Sequence, residues 1–587
     1  MARTERWWRL GWAAIALICL LLAGCGQDKP PAKGQSAATP ELLAAQCRDA
    51  VGQPRVERIS QHVWAALGFD LANVVLIQTP QGNVIVDTAM SPARAQEIKK
   101  ALEAKAGPGP VIAVIYTHSH IDHVGGAAVF AAPGVPIWAS AALPEHLLKQ
   151  YSLFLPIESV RGSRQFGRRV GLADLPCSSI GRRPDLKAAA QSGMLLPTHT
   201  FRGRQTLDFG GFKLELVEAH GETHDQLLVW VPADKTIVAG DNFYWTFPNL
   251  YTIRGTSPRP ISEWIASLDR MRRLAPEHLI PTHTKPLHGA AAINAALTNY
   301  RDAIQWVRDQ VVRGANQGRD LDTLAENIKL PPHLAELPYL KELYGQIDWS
   351  VRAIYTNNLG WFDGRADRLY PLPKAQAASR EVQLMGGPAK VMDLARQALA
   401  KGDTRWAVHL LAKLADSGLM QDQAAALRDL QAQAYQGLAA TVFNTNGRAY
   451  LLETVQELRQ GLVQPAKAHM DPRMVQQVPL EAIFRVLPSK LKLNQAMDVH
   501  ESLVFVFPDV KERFVVTLRR GVVEVVQGEP LPGTPPPVGV VTIQARDYRR
   551  MIFGLEGPLA LYAKGKVSVQ GSWLKVLAFL RRFETKG

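Results

Sequence analysis

The most constraining feature of this chain is a run of four potential metal ligands within six positions, His118, His120, Asp122 and His123. It follows the apolar, β-branched stretch 111–115, which predicts a buried strand. His118 and His120 can point to one side of an extended chain, while Asp122 and His123 follow on the turn and face a second point nearby. Imidazole and carboxylate ligands together suit zinc and similar divalent ions, and paired ions of this kind drive hydrolysis. The run therefore predicts a metal centre at a strand end.

Three further predicted strands lead to ligand-type side chains, namely Glu222, Asp241 and His283. Asp87 closes another strand, in the usual place for a residue that supports a metal ligand through a hydrogen bond. Polar groups from separate strand ends that meet in one crevice make a convergent metal site. Paired strands, then a helix near 92–105, then the metal strand predict an α/β fold, an αββα sandwich with helices covering both sheets.

Length and charge limit the remaining possibilities. With 587 residues the chain is too long for one core, so three or four domains are expected. The net charge of +14 favours anionic partners. No basic run with interleaved aromatic residues occurs, so nucleic acid is not a predicted partner.

The N-terminus predicts a targeting signal. Three arginines precede the apolar segment 10–23, which has the layout of a secretory signal and is short for a membrane span. Residues 22–25 resemble a bacterial lipobox, which implies lipidation of Cys25 and a lipoprotein of the outer membrane facing the periplasm or the cell surface. A plain secretory signal or an uncleaved anchor is the alternative. In an oxidising compartment Cys47 and Cys177 could pair, although two cysteines alone do not establish a bridge.

With these motifs the chain resembles the alkylsulfatases of the metallo-β-lactamase superfamily, of the dodecyl sulfate hydrolase type. Gly221 is followed by Glu222, where the wider superfamily commonly has His and the alkylsulfatases have Glu. The resemblance implies two Zn²⁺ ions per chain. It assigns them as follows: one on His118, His120 and Glu222, a second on Asp122, His123 and His283, and Asp241 as the bridge. Alkylsulfatases usually carry Glu at the bridging position, so Asp241 is a departure toward the wider superfamily.

The segment 249–255 resembles the sulfate-binding segment of the alkylsulfatases. The match implies that Asn249 and Arg254 hold the sulfate oxygens, and a planar guanidinium suits an oxyanion because it donates two parallel hydrogen bonds. Arg259 matches the next basic residue of the family and is a third predicted substrate-binding residue, although Pro260 replaces its acidic neighbour. Asp122, Asn249 and Arg254 are the predicted catalytic residues.

The resemblance extends over roughly residues 60–585 and implies a domain plan. The predicted parts are a signal peptide at 1–24, a lipidated Cys and flexible tether at 25–55, a metallo-β-lactamase-like catalytic domain at 56–300, a helical dimerisation domain at 301–465 and an α+β domain like sterol carrier protein type 2 at 466–587. A homodimer and an apolar cavity for lipid chains are what these last two domains imply.

The function predicted is hydrolysis of alkyl sulfate esters, such as dodecyl sulfate, to alcohol and inorganic sulfate by a metal-bound hydroxide. An amphiphilic sulfate ester is the expected substrate. One alternative is another hydrolase on the same site, that is, a lactonase, a β-lactamase or a phosphodiesterase. The other is a lipid-binding lipoprotein whose metal site is vestigial. The bond that breaks, C–O or S–O, is open at this stage.

Overall fold

The structure is a computed structural model that describes residues 38–150, 153–462 and 469–584. The predicted signal and Cys25 lie outside these residues. The first part of the structure, predicted to be catalytic, consists mainly of strands in which apolar residues alternate. The strands of this part are β1 (Arg55–Arg58), β2 (Val63–Leu67), β3 (Val74–Thr79), β4 (Gly82–Val86), β5 (Val111–Ile115), β6 (Ile137–Ser140), β7 (Gln191–Ser192), β8 (His199–Phe201), β9 (Arg204–Phe209), β10 (Phe212–Glu218), β11 (Leu227–Val231), β12 (Thr236–Val238), β13 (His278–Ile280) and β14 (Leu287–His288).

Two mixed sheets result. The first has the order β1-β2-β3-β4-β5-β6-β8, and the second has the order β14-β13-β12-β11-β10-β9. The strand β3 shows why they stack: Val75 and Ile77 enter the core shared by the two sheets, whereas Val74 and Leu76 enter the core on the outer face. This alternation follows from the two-residue repeat of a strand.

Helices cover the outer faces and complete an αββα sandwich. They are α1 (Pro40–Ala50), α2 (Pro92–Ala106), α3 (Ile121–Val124), α4 (Ala127–Phe130), α5 (Leu143–Gln150), α6 (Leu155–Phe166) and α7 (Ile261–Arg273). The helix α2 buries Ala95, Ile98 and Leu102 on the first sheet, and α7 buries Trp264 and Leu268 on the second. The predicted fold class is confirmed.

The N-terminal segment differs from the tether predicted at 25–55, because residues 40–50 form the helix α1. Thr39 caps this helix by accepting a hydrogen bond from the Leu42 N–H, and Pro40 fits its first turn. Leu43 is buried, and Cys47 forms a disulfide with Cys177. A capped, cross-linked helix with an apolar contact is ordered, so the tether does not extend over these residues.

The middle of the chain is helical. Its helices are α8 (Ala290–Asn316), α9 (Leu321–Asn327), α10 (Pro332–Ala335), α11 (Ile347–Leu359), α12 (Lys374–Leu384), α13 (Pro388–Ala400), α14 (Thr404–Ser417), α15 (Ala424–Ala439) and α16 (Thr445–Gln460). The helix α8 runs through the domain boundary predicted at residue 300 and packs on both α7 and α11. The catalytic and helical parts therefore share one core rather than a linker.

The C-terminal part is an α+β unit. Its elements are β15 (His469–Met470), α17 (Pro472–Gln477), α18 (Leu480–Val486), β16 (His500–Phe507), β17 (Glu512–Arg519), β18 (Val522–Gln527), β19 (Pro537–Ile543), α19 (Ala545–Ile552), α20 (Pro558–Ala563), β20 (Val567–Gly571) and α21 (Trp573–Arg581). The sheet has the order β18-β17-β16-β19-β20. Among the described residues no helix has the length and apolar content that a membrane span requires.

Candidate metal centre

The metal motif lies where β5 ends. His118 and His120 sit on the loop after the strand, and Asp122 and His123 lie in the single-turn helix α3. The glycine pair that follows allows this turn to approach the end of β4. A Cβ on Gly125 would lie 2.1 Å from the Met90 carbonyl oxygen, and one on Gly126 would lie 2.1 Å from that of Thr88. Side chains at these two positions would push the motif off the sheet edge.

The structure brings all seven predicted metal ligands together in two adjacent sets. One set consists of His118, His120, Glu222 and Asp241, and the other of Asp122, His123 and His283. Within each set the ligand atoms lie within 4.8 Å of one another, and every residue is buried. The members come from the loop after β5 and the helix α3, from the loop between β10 and β11, and from the segments that follow β12 and β13.

Asp241 lies between the two sets. Its Oδ2 is 3.6 Å from His118 Nε2 in the first set. The same oxygen is 3.6 Å from His123 Nε2 and 3.0 Å from His283 Nε2 in the second. One carboxylate is thus within reach of both candidate ion positions, as the bridging assignment requires.

Hydrogen bonds to the far ring nitrogens orient the histidines for metal binding. His123 Nδ1 donates to Asp87 Oδ2 at 2.8 Å, and His283 Nδ1 donates to the Leu71 carbonyl oxygen at 2.7 Å. Asp87 also accepts hydrogen bonds from the N–H and hydroxyl of Thr117. His123 Nε2, by contrast, is buried with no hydrogen-bond partner among the described residues. An acceptor nitrogen left bare beside two carboxylates fits a divalent cation.

The charges in the pocket are strongly coupled. Burial disfavours the charged form of His123, but Asp241, Asp122 and Asp87 outweigh this and raise its pKa well above the usual value. Burial raises the pKa of Asp241, and the neighbouring imidazoles only partly offset that rise. The buried carboxylates and imidazoles thus shift one another's pKa values strongly.

Arg259, a predicted substrate-binding residue, lies against one of the predicted metal ligands. It is 6% exposed, and its Nη1 donates to Glu222 Oε1 and to the Asn249 carbonyl oxygen. Burial disfavours the charged form of Glu222, but Arg259 and His120 outweigh this and hold its pKa well below the usual range. Within the described structure Arg259 thus fixes a predicted metal ligand through Nη1, while its Nε has no hydrogen-bond partner, and its substrate-binding role stays a prediction.

Asn249 and Arg254 lie at the edge of the same pocket. Arg254 Nη2 is 3.0 Å from His120 Nε2, so the guanidinium is beside the first ligand set. Asn249 is buried, its N–H donates to the Tyr244 hydroxyl, and its side-chain oxygen has no hydrogen-bond partner in the described structure. Arg254 therefore adjoins the first ligand set, and Asn249 is connected to that set through Arg259, which bonds both the Asn249 carbonyl oxygen and Glu222.

Two residues of the site escaped prediction from the sequence. Gln165 and Arg161, on α6, hydrogen-bond the segment that carries Arg254 across separations of 89 and 92 positions. No motif spacing links residues so far apart, and α6 has the composition of an ordinary surface helix. His224, on the loop that carries Glu222, donates through Nε2 to the Pro258 carbonyl oxygen.

Three family models match the chain. They are described as metallo-beta-lactamase superfamily over residues 67–283, alkyl sulfatase dimerisation over 320–461, and alkyl sulfatase C-terminal over 468–586. Together they follow the order of the catalytic, helical and C-terminal parts.

Curated relatives and solved structures agree with these models. A linear primary-alkylsulfatase from a Pseudomonas species is 32% identical over 87% of this chain and 98% of its own length. An (R)-specific secondary-alkylsulfatase from Pseudomonas is 29% identical over 78% of this chain and 70% of its own. The solved stereoselective inverting sec-alkylsulfatase Pisa1 from Pseudomonas is 25% identical, with a TM-score of 0.83 over 91% of this chain and 85% of that one.

Proposed function

This chain belongs to the alkylsulfatases of the metallo-β-lactamase superfamily, and we propose that it hydrolyses alkyl sulfate esters with two Zn²⁺ ions per chain. The observation that carries the proposal is the pair of ligand sets, with Asp241 of the first set in contact with two histidines of the second and a guanidinium beside the first. Relatives that are named for primary and for secondary alkyl sulfates support the substrate class.

The donor set suits the proposed ions. Four imidazoles and three carboxylates are ligands that zinc accepts, and ion pairs held in this way supply Lewis acidity and activate water for hydrolysis. His118, His120 and Glu222 would hold one ion, Asp122, His123 and His283 the other, and Asp241 both. The lone acceptor nitrogen of His123 is the observation on this chain that favours a cation there.

The remaining residues act on the substrate. Arg254 donates to the sulfate oxygens and stabilises the negative charge that grows on the departing sulfate. The Asn249 amide orients the ester beside it. Arg259 keeps Glu222 ionised and fixed in direction, which preserves a ligand for the first ion. Nearly every group around the pocket is buried, which strengthens the electrostatic interactions among them.

Replacing Arg254 with Ala tests the proposed sulfate site. Loss of one preorganised donor of this kind costs about a hundredfold to a thousandfold in turnover. We expect dodecyl sulfate hydrolysis to fall by that factor, while the zinc content, measured by atomic emission, stays near two per chain. Arg204→Ala is the matched control, because Arg204 is an exposed residue that pairs with Glu215 on β10.

A wild-type turnover rate in the Arg254→Ala variant would remove the sulfate assignment. Hydrolysis of lactones, β-lactams or phosphodiesters, with alkyl sulfates left intact, would replace the proposed function with one of those activities. Absence of any chelator-sensitive hydrolysis by the wild-type protein would favour a lipid-binding protein with a vestigial metal site.

We also propose that the protein is a homodimer. Support comes from the alkyl sulfatase dimerisation model, which matches residues 320–461. Light scattering on the purified protein should give about twice the chain mass of 64.6 kDa. A single-chain mass over the micromolar range would contradict the dimer.

An outer-membrane lipoprotein facing the periplasm or the cell surface is our proposal for localisation, with the lipid carried by Cys25. Support comes from the lipobox-like sequence that ends at that residue. The Cys25→Ser variant should move from the membrane fraction to the soluble fraction of fractionated cells. Unchanged membrane association would contradict the anchor, and Cys19→Ser is the control within the same segment.

A further inference from the structure

Two side chains of the helix α6 form hydrogen bonds with the segment that carries Arg254. Gln165, which is 1% exposed, accepts two hydrogen bonds through Oε1, one from the Arg254 N–H and one from the Thr252 hydroxyl, both at 2.9 Å. One turn earlier, Arg161 donates through Nε and Nη2 to the Ile253 carbonyl oxygen at 3.1 and 2.8 Å. Residues four apart lie on the same face of a helix, so both side chains reach consecutive backbone units of this segment.

The bond to Arg254 is the one with a chemical consequence. It fixes the backbone of Arg254, whose guanidinium adjoins His120. The position of this backbone determines where the side chain can place the guanidinium. A displacement of about 1 Å in a positioning group can cost a hundredfold in rate. The Gln165 Nε2, in contrast, has no hydrogen-bond partner within the described structure. The interactions of the side-chain amide are therefore made by its acceptor oxygen.

We propose that Gln165 is a positioning residue for the sulfate group, acting through the backbone N–H of Arg254. This rests on the proposed function, in which Arg254 holds the sulfate. Gln165 does not itself contact the reacting atoms. Gln165 holds the backbone of Arg254 in place and thereby aligns its side chain. It can do so because α6 lies along the 252–254 segment.

The test replaces Gln165 with Leu, which keeps the size and removes the acceptor. We expect kcat/KM for dodecyl sulfate to fall about tenfold to a hundredfold, and the Kd for inorganic sulfate, measured by calorimetry on the zinc-loaded protein, to rise in parallel. A purely structural role would lower the active fraction and hence kcat, with KM and sulfate affinity unchanged. Ser163→Ala is the control, since Ser163 lies on the same helix and bonds only the Ser159 carbonyl oxygen.

A double-mutant cycle decides whether the effect passes through Arg254. In the Arg254→Ala background, Gln165→Leu should change sulfate affinity by less than about twofold, because the group that it aligns is gone. An equal loss in both backgrounds would overturn the proposal. If the Leu variant does not fold, Gln165→Asn shortens the same amide by one CH₂ and should give the same loss of sulfate affinity.

The outcomes separate this inference from the proposed function. Wild-type protein that binds inorganic sulfate through Arg254 and Gln165, yet leaves every alkyl sulfate intact, would keep the inference and remove the reaction. Hydrolysis of alkyl sulfates with wild-type kinetics in Gln165→Leu would keep the reaction and remove the inference.

Discussion

At the scale of single residues, Asp87 sets the direction of a proposed metal ligand, His123. It is fully buried, and its carboxylate accepts hydrogen bonds from His123 Nδ1 and from two groups of Thr117. Its φ of 61° is left-handed, a region that Asp and Asn tolerate better than other side chains. Position 87 therefore requires a residue that tolerates a left-handed backbone and that carries a hydrogen-bond acceptor for His123.

We expect Asp87→Asn to weaken zinc binding about tenfold to a hundredfold, the usual effect of losing an outer partner of a ligating histidine. The amide preserves the backbone conformation and one acceptor oxygen, but its NH₂ group repels the His123 N–H. Competition with a chromophoric chelator measures the affinity. Asp234→Asn is the matched control, since Asp234 makes a similar bond to His62 far from the metal pocket.

An unchanged zinc affinity in the Asp87 variant would show that the second ligand set is held by the remaining contacts alone. In that case the orientation of His123 would depend on packing against His118, whose ring lies 4.1 Å away between centroids. A loss of equal size in the Asp234 control would point to general destabilisation instead.

At the scale of elements, α6 joins two parts of the molecule. One face holds the segment that carries Arg254, and the other face and its C-terminal extension reach α16 in the helical part. Arg164 pairs with Glu457, and Arg169 donates from its N–H and its Nε to Glu453, which is 1% exposed. The helical part thus supports the segment that carries Arg254 through α6.

Removing one of these buried acceptors should loosen α6. In Glu453→Ala, Arg169 loses its charged partner, at a cost of about 2 kcal/mol. Hydrogen exchange of amides in 155–170 should accelerate by about thirtyfold, since each 1.4 kcal/mol is a factor of ten. Glu381→Ala is the control, because Glu381 forms an exposed pair with Lys413 that stabilises little. Unaltered exchange in this region would show that packing alone holds α6.

The same elements show what the sequence could and could not predict. The sandwich and the ligand positions were predictable because a strand is a local pattern and because His118, His120, Asp122 and His123 are adjacent in the chain. The roles of Gln165 and Arg259 were not, since each depends on a hydrogen bond made after distant segments pack. The helix α1 was missed because its Pro- and Ala-rich approach has the composition of a linker, while its stability comes from a cap and a cross-link.

At the scale of the whole molecule, the disulfide between Cys47 and Cys177 links the N-terminal helix α1 covalently to the catalytic part. The two cysteines are 130 residues apart in the sequence. Both ends of the bridge lie near the last metal ligand. The Ala50 carbonyl oxygen accepts from the Lys285 N–H, and the Ile180 carbonyl oxygen accepts from the Thr284 N–H. Thr284 and Lys285 directly follow His283. The disulfide therefore restrains the segment that carries His283.

Loss of the bridge should therefore lower both thermal stability and retention of the second ion. In the chain-entropy account a loop of this size contributes about 4 to 5 kcal/mol, so the Cys47→Ser/Cys177→Ser variant should melt several degrees lower. It should also lose zinc faster to a chelator. Wild-type protein reduced with tris(2-carboxyethyl)phosphine, which lacks thiols, should match the variant, and this reductant should leave the variant itself unchanged. Equal melting temperatures and equal zinc-release rates for oxidised wild type and variant would show that the packing of α1, and not the covalent link, braces His283.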